Sequence, residues 1–403
     1  MKKIIMACGD GSFNLGDEAV IASFLRNIRL LDKDIEVIVF SCNPEKTKEM
    51  HGIKSIKLDM SGFSLLRNLP KMIKKFKKMD LLVWGGGNLV TDAPSQLYTP
   101  FHLFKIFLAK IMKKKVAVYA VGVGQVKSRF TKFIVRKVLS KADLITLRDE
   151  ESKKILEKLG IKNKMYSFVD PAFDLKPAEK NKATKIIKSY GINEKKPMVA
   201  FVPRRVFHRK QGSIIPVKYR IKLGLIDDKN KAKFEKLKKT LAMAADYMVE
   251  TIDANIVFIP MQMLEEQQQQ DEKISKEIIS MMDHNEKAFV INSYNHKVQE
   301  LKAVYGLMNL IVGIRFHAIV LGAGMGIPVL SLHYSEKGER LTKKLNLQDY
   351  SVPVDDVQYK ILKEKIDKIV SDKEKVAKSI NKKSEELKKK AKSNVNLIYD
   401  MIK

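Results

Sequence analysis

Cysteine is nearly absent: Cys8 and Cys42 are the only two in 403 residues. That excludes a disulfide framework and a multi-cysteine zinc site, and it suits a reducing compartment. Glycine and proline, at 20 and 12 residues, are too few for a fibrous or low-complexity chain. Long uncharged runs are lacking as well. The longest, residues 316–335, has the length to span a bilayer, but His317, His333, Pro328 and several glycines mark it as helix, turn and buried strand. At the start, Met1-Lys2-Lys3-Ile4-Ile5 resembles a signal n-region only until Asp10, Asn14 and Asp17 intervene. No leader is expected from it, and a cytoplasmic location is the expectation. Acidic residues are in short supply: 46 Asp and Glu against 76 Lys and Arg leave a formal charge of +30. Such a field favours an anionic partner, whether nucleic acid, an anionic membrane face, or a phosphorylated or carboxylated substrate.

What is present is an ordinary globular composition, 45% hydrophobic and 30% charged, at a length that suggests two domains. Apolar runs at residues 3–8, 35–40, 80–84, 116–121 and 143–147 read as strands. Helical periodicity fills 18–31, 101–112, 131–141 and 149–159. Glycines recur where strands end, at Gly85-Gly86-Gly87 and Gly122-Val123-Gly124. A lysine-rich linker is expected around 177–196, after which the strand–helix pattern restarts at 197–202. Residues 204–228 read as an irregular basic loop over a site. Residues 356–403 have apolar residues at helical spacing, with a break near Asp372. The expected fold is α/β, with two facing Rossmann-like domains (1–185 and 186–355) and a C-terminal helical tail (356–403). A ligand is expected in the cleft at the strand C-terminal ends.

Four segments can carry chemistry. The loop Gly9-Asp10-Gly11-Ser12-Phe13-Asn14-Leu15-Gly16-Asp17-Glu18 leads from strand into helix without a Walker or a clean dinucleotide fingerprint. Its acids suit helix capping, and Asn14 with Asp17 can equally bond sugar hydroxyls. The Gly85–Asn88 turn permits close backbone approach to a ligand. Arg148 stands at a strand end, where its guanidinium can clamp an anion or pair with Asp149 or Asp170. In Gly313-Ile314-Arg315-Phe316-His317-Ala318, an arginine and a histidine flank a helix start. Together they can bind an anion and hold a proton donor beside it.

Asn14-Leu15-Gly16-Asp17-Glu18, Gly85-Gly86-Gly87, Leu147-Arg148-Asp149-Glu150-Glu151-Ser152, Asp170-Pro171-Ala172-Phe173 and Gly313–Ala318 occur in that order, followed by Gly326-Ile327-Pro328-Val329-Leu330 and Lys337. The ordered set, over roughly residues 4–350, resembles the polysaccharide pyruvyl transferase family. The family pattern has Arg-Leu-His where this chain has Arg315-Phe316-His317, and Pro-Lys where it has Glu336-Lys337. The resemblance implies a GT-B-like fold and transfer of pyruvate from phosphoenolpyruvate to a sugar as a ketal, with release of phosphate and no cofactor or metal. It implies Arg315 and His317 at the phosphoenolpyruvate site, with His317 the general acid. Arg148 and Lys337 are further anion ligands, with Arg204 or Arg205 secondary. Asp17 or Asp170 is the base. Asn14, Gly16, Asp17, Gly86, Gly87 and Asn88 are expected on the acceptor side. The acceptor is expected to be a sugar or a lipid-linked saccharide. The lysine runs at 71–78, 105–115 and in the tail read as solvated helix faces, some of which would suit peripheral contact with an anionic membrane. Two other classes share parts of the pattern: a GT-B glycosyltransferase using a nucleotide sugar, and a basic nucleic-acid-binding protein. The latter lacks any RNP, KH or zinc-finger signature.

Overall fold

The computed structural model describes residues 2–9, 14–58, 64–207, 213–215, 219–220, 223–225, 227–262 and 265–403, with 64–67 and 265–270 described by backbone alone. Seven strands form the first sheet: β1 (Lys3–Ala7), β2 (Glu36–Ser41), β3 (Ser55–Lys57), β4 (Leu81–Gly85), β5 (Lys115–Val121), β6 (Leu144–Leu147) and β7 (Met165–Ser167). They are parallel, in the order β3-β2-β1-β4-β5-β6-β7. Every residue of β4 is buried, as expected of a central parallel strand covered on both faces. The covering helices are α1 (Leu15–Leu31), α2 (Pro44–His51), α3 (Ser64–Lys77), α4 (Tyr98–Ile111), α5 (Arg129–Leu139) and α6 (Glu150–Lys158). Met72 and Phe76 of α3, Leu103 and Ile106 of α4, and Val135 of α5 pack together on one face. Val20, Phe24 and Ile28 of α1 cover the other.

The second sheet repeats this winding with β8 (Met198–Val202), β9 (Asn255–Phe258), β10 (Ala288–Val290), β11 (Leu310–Gly313), β12 (Val329–His333) and β13 (Ser351–Pro353). Their order is β10-β9-β8-β11-β12-β13, again parallel. The remaining helices are α7 (Lys180–Ser189), α8 (Asp228–Ile252), α9 (Glu265–Ile279), α10 (Val298–Tyr305), α11 (Phe316–Ala323), α12 (Glu336–Lys344), α13 (Tyr359–Ser371) and α14 (Lys373–Asp400). Both sheets reverse winding direction beside their first strand, between β1 and β4 and between β8 and β11. Such a switch point leaves a crevice at the strand C-terminal ends. The two sheets and their GT-B-like arrangement agree with the fold class expected from the sequence.

One expectation changes. The lysine-rich linker at 177–196 contains a helix, α7. Ala183, Ile186 and Ile187 share one buried stripe on it against α10, and the lysines occupy the rest of its surface. The C-terminal segment is helical with its break at Asp372, as expected, and it packs into both halves. Val376, Ile380 and Leu387 of α14 enter the second core, and Val395 and Ile398 enter the first beside Phe24 and Tyr119. One helix thus fastens both halves. A second fastening is Lys302 of α10, which donates to the carbonyls of Phe173 (3.1 Å) and Leu175 (2.6 Å) in the connection between halves. Burial pulls its pKa down to about 7. At the front, the Leu15 amide donates to the Met261 carbonyl at 2.8 Å, and Asn14 bridges to Gln262. Among the described residues no helix is long and apolar enough to cross a membrane.

Candidate functional site

A cleft of about 850 Å³ opens between the C-terminal edges of the two sheets. Its second-half wall is built by the turn after β11. Arg315 is the N-cap residue of α11, with φ −78° and ψ 127°, and His317 stands in the first turn. The Arg315 side chain is 12% exposed and bonds Asp271 Oδ1. Asp271 is itself buried on α9, where its other oxygen accepts from the Met261 and Gln262 amides at 3.2 and 3.3 Å. The guanidinium is therefore aimed from behind, and its Nε has no hydrogen-bond partner among the described residues.

His317 is held between the two halves. Its Nε2 lies 3.4 Å from Asp170 Oδ2. On the other side, a Cβ placed on Gly16 would fall 1.9 Å from Nδ1, so α1 presses its bare backbone against the ring. Asp170 also meets Arg148 at 3.5 Å and accepts from the Ala172 amide at 3.1 Å. Burial works to raise the Asp170 pKa, but His317, Arg148 and the amide outweigh it and hold the group down at about 2. It stays ionised, with 3% of its side chain exposed.

Phe316, between the arginine and the histidine, organises two more cations. Arg148 Cζ lies 4.8 Å and Lys337 Nζ 4.5 Å from its ring centroid. Arg148 is buried, and a Cβ on Gly122 would meet its Nη2 at 2.2 Å. Lys337 is half-buried overall. Desolvation of its ammonium, with Arg148 adding repulsion, lowers its pKa to about 7. Arg204 joins the wall by stacking on Tyr334 at 4.7 Å and donating to its hydroxyl. Arg205 turns away and stacks on Phe234 at 5.7 Å.

The facing wall comes from the first half. Asn14 caps α1 by accepting from the Gly16 amide at 3.0 Å, and its amide nitrogen donates to Gln262 Oε1 at 3.1 Å. The residue both caps and lines the cleft, alongside Asp17, Gly87 and Asn88. Gly86, at φ +83°, packs where a Cβ would meet Cys8 Sγ at 2.3 Å. At the rim, Gln125 donates to Glu336 at 2.7 Å and Arg340 pairs with Asp149 at 3.3 Å, tying the halves together.

Of the residues expected from the sequence, Asn14, Asp17, Gly87, Asn88, Arg148, Arg315, His317 and Lys337 line this one cleft. Gly16, Gly86 and Asp170 stand one layer behind. Residues 10–13 of the first loop lie outside the described residues, as do 208–212, 216–218, 221–222 and 226 of the basic loop and the side chains of Gln267–Gln270. Asp271 and Tyr334 are the partners that sequence reasoning did not assign. Asp271 lies 44 residues from Arg315, and no spacing rule links them. Among the described residues, no cluster of His, Cys, Asp and Glu could hold a metal ion.

The fold is shared with solved structures at low sequence identity. A glycosyltransferase from Rickettsia africae superposes with a TM-score of 0.62 at 15% identity, covering 100% of this chain and 99% of that one. A putative UDP-N-acetylglucosamine 2-epimerase from Listeria monocytogenes gives 0.61 at 14%, covering 100% and 96%. Anabaena HepE in complex with UDP and glucose gives 0.60 at 11%, covering 100% and 99%. These likenesses show the fold alone, and no curated protein matches the sequence. The sequence profile described as polysaccharide pyruvyl transferase matches residues 14–336. That span runs from the Asn14 cap through Arg148, Asp170, Arg315 and His317 to Glu336, so this chain belongs to the polysaccharide pyruvyl transferase family.

Proposed function

We propose that this chain transfers the pyruvyl group of phosphoenolpyruvate to two hydroxyls of a sugar in a cell-surface polysaccharide or its precursor, forming a ketal and releasing phosphate. One observation carries the reading. Arg148, Arg315 and Lys337, with Arg204 beside them, gather around His317 on one wall, opposite Asn14, Asp17 and Asn88. Phosphoenolpyruvate carries a carboxylate and a phosphate, and planar guanidinium groups match both. Lys337 takes up its proton as the anion arrives, because a neighbouring negative charge favours the charged form.

His317 gives its proton to the methylene carbon, which becomes the methyl group, and the adjacent carbon becomes oxocarbenium-like. One sugar hydroxyl adds there, its proton passing to Asp17. The carbon–oxygen bond to phosphate breaks, and the electron pair leaves on phosphate. The second hydroxyl then adds to the same carbon and closes the ring. Of the two hydroxyl protons, one replaces that given by His317 and the other leaves on hydrogenphosphate. Asp170, buried behind the ring, orients His317 and supplies a counter-charge when the ring carries the proton. It is a positioning residue in this scheme, and Asp17 is the base because it faces the cleft.

The test is phosphate release from phosphoenolpyruvate across a panel of saccharide acceptors, with mass spectrometry of the products. The expected result is acceptor-dependent release with a pyruvylated saccharide. Consumption of a nucleotide sugar, with phosphoenolpyruvate untouched, would replace this reading with glycosyl transfer on the same fold.

A further inference from the structure

Between Ala93 and Ala142 the sequence holds eleven Lys and Arg and no Asp or Glu. This stretch forms α4 and α5, which pack side by side, and its outer surface is unusually apolar for so basic a segment. Leu97, Phe107, Ile111, Phe130 and Phe133 are 51%, 42%, 61%, 52% and 50% exposed. Along α4, Leu97, Phe104, Phe107 and Ile111 recur at helical spacing, so they form one outward stripe. On α5, Phe130 and Phe133 stand among the exposed Arg129, Lys132, Arg136 and Lys137. The two helix starts are joined through Gln96: its carbonyl accepts from Thr131 Oγ1 at 3.0 Å, and its amide donates to the Ser213 carbonyl at 3.0 Å. That second bond brings Ile214, 66% exposed, to the same place. The patch adjoins the mouth of the cleft, whose lining includes Pro94, Tyr98 and Phe101.

We propose that this face docks on an anionic phospholipid bilayer, with the Phe and Ile side chains entering the headgroup–acyl boundary and the Lys and Arg side chains meeting lipid phosphates. Amphipathic surfaces of this composition bind at membrane interfaces through the two contributions together. A second copy of the chain is disfavoured as occupant, because the same basic face would meet its own charge. Nucleic acid would use the cations but would leave Leu97, Ile111 and Ile214 without a role. The docking is independent of the reaction proposed above. If that reaction holds, docking presents the cleft mouth to an acceptor carried on a lipid.

The experiment is sedimentation of the full chain with phosphatidylcholine vesicles, plain or containing about one-third phosphatidylglycerol, against a DNA duplex as competitor. Wild type should bind the anionic vesicles, bind plain ones weakly, and retain part of its binding at raised salt. A Lys132→Gln, Arg136→Gln, Lys137→Gln variant should lose about a hundredfold in partitioning at low salt, roughly fivefold for each charge removed. A Phe130→Ser, Phe133→Ser variant should lose about tenfold or more and release fully at raised salt. It should keep wild-type phosphate release with a soluble acceptor, which separates docking from catalysis. Vesicle binding by the Phe variant equal to wild type, no binding to anionic vesicles, or displacement by DNA from the same residues would each overturn the proposal.

Discussion

Gly16→Ala should damage catalysis while sparing the fold. Gly16 sits in the first turn of α1 without a positive φ, so an L side chain is allowed there. Alanine favours the helix by about 0.5–1 kcal/mol over glycine. The obstacle is the His317 ring packed against this turn. The new Cβ would lie 1.9 Å from His317 Nδ1, 2.3 Å from Cγ and 2.4 Å from Cε1. Relaxing such a contact to about 3.5 Å needs a movement of roughly 1.6 Å. If the ring retreats, it collides with Asp170, already 3.4 Å from Nε2. If α1 retreats, it breaks the 2.8 Å bond from Leu15 to Met261 and the Asn14–Gln262 bridge. Misplacement of a catalytic group by about 1 Å costs on the order of 10²-fold in rate. The assay is phosphate release at saturating phosphoenolpyruvate, with thermal unfolding in parallel. Gly52→Ala is the mirror control: at φ +65° with no atom within 4 Å of its would-be Cβ, it should lower stability by about 1 kcal/mol and leave turnover intact. A Gly16→Ala protein with near-normal turnover would show that His317 does not do its work where the ring stands.

Three further outcomes follow from the same wall. Asp271→Asn removes the charge that aims Arg315 and should lower kcat/KM for phosphoenolpyruvate by about 10–100-fold, with the acceptor's KM unchanged; a change confined to the acceptor's KM would contradict it. Asp170 has a folded pKa of about 2 against an ordinary 3.8, so it contributes stability that is fully present above about pH 4 and lost as pH falls toward 2. That contribution is on the order of 2 kcal/mol, and the melting temperature of Asp170→Asn should fall less steeply over that window than wild type; parallel profiles would refute it. Lys337, with its pKa lowered to about 7, is mostly neutral at pH 8, so phosphoenolpyruvate binding there should take up a proton. Calorimetry in two buffers of different ionisation enthalpy reads that uptake. It should vanish in Lys337→Met, and uptake unchanged in that variant would place the titrating group elsewhere.

Much of this site is legible in the sequence because the signals are local. Glycine-rich strand ends at Gly85–Gly87 and Gly122–Gly124, and the Arg315–His317 helix start, each announce a strand-to-helix junction. Parallel winding then carries such junctions to one edge. What the sequence hides is tertiary. Asp271 reaches Arg315 only because β9 and β11 flank β8, and it stands in a polar helix with nothing to single it out. Phe316 reads as a conservative apolar residue, yet it serves as the platform for Arg148 and Lys337. Asp170 reads as a base as readily as Asp17 does, and only burial separates their places. The three-residue strands β3, β7 and β13 are too short to show alternation, and in α7 the lysines obscure a narrow apolar stripe.

The most direct measurement follows the carbon–oxygen bond itself. Phosphoenolpyruvate carrying heavy oxygen at the bridging position is turned over with a saccharide acceptor in deuterated water, and both products are weighed by mass spectrometry. Ketal formation by proton transfer from His317 and loss of phosphate leaves the heavy oxygen on the released phosphate and puts one deuterium in the methyl group of the saccharide product. Heavy oxygen retained in pyruvate, with unlabelled phosphate and an unmodified saccharide, would mean that the phosphorus–oxygen bond breaks instead and would contradict the account.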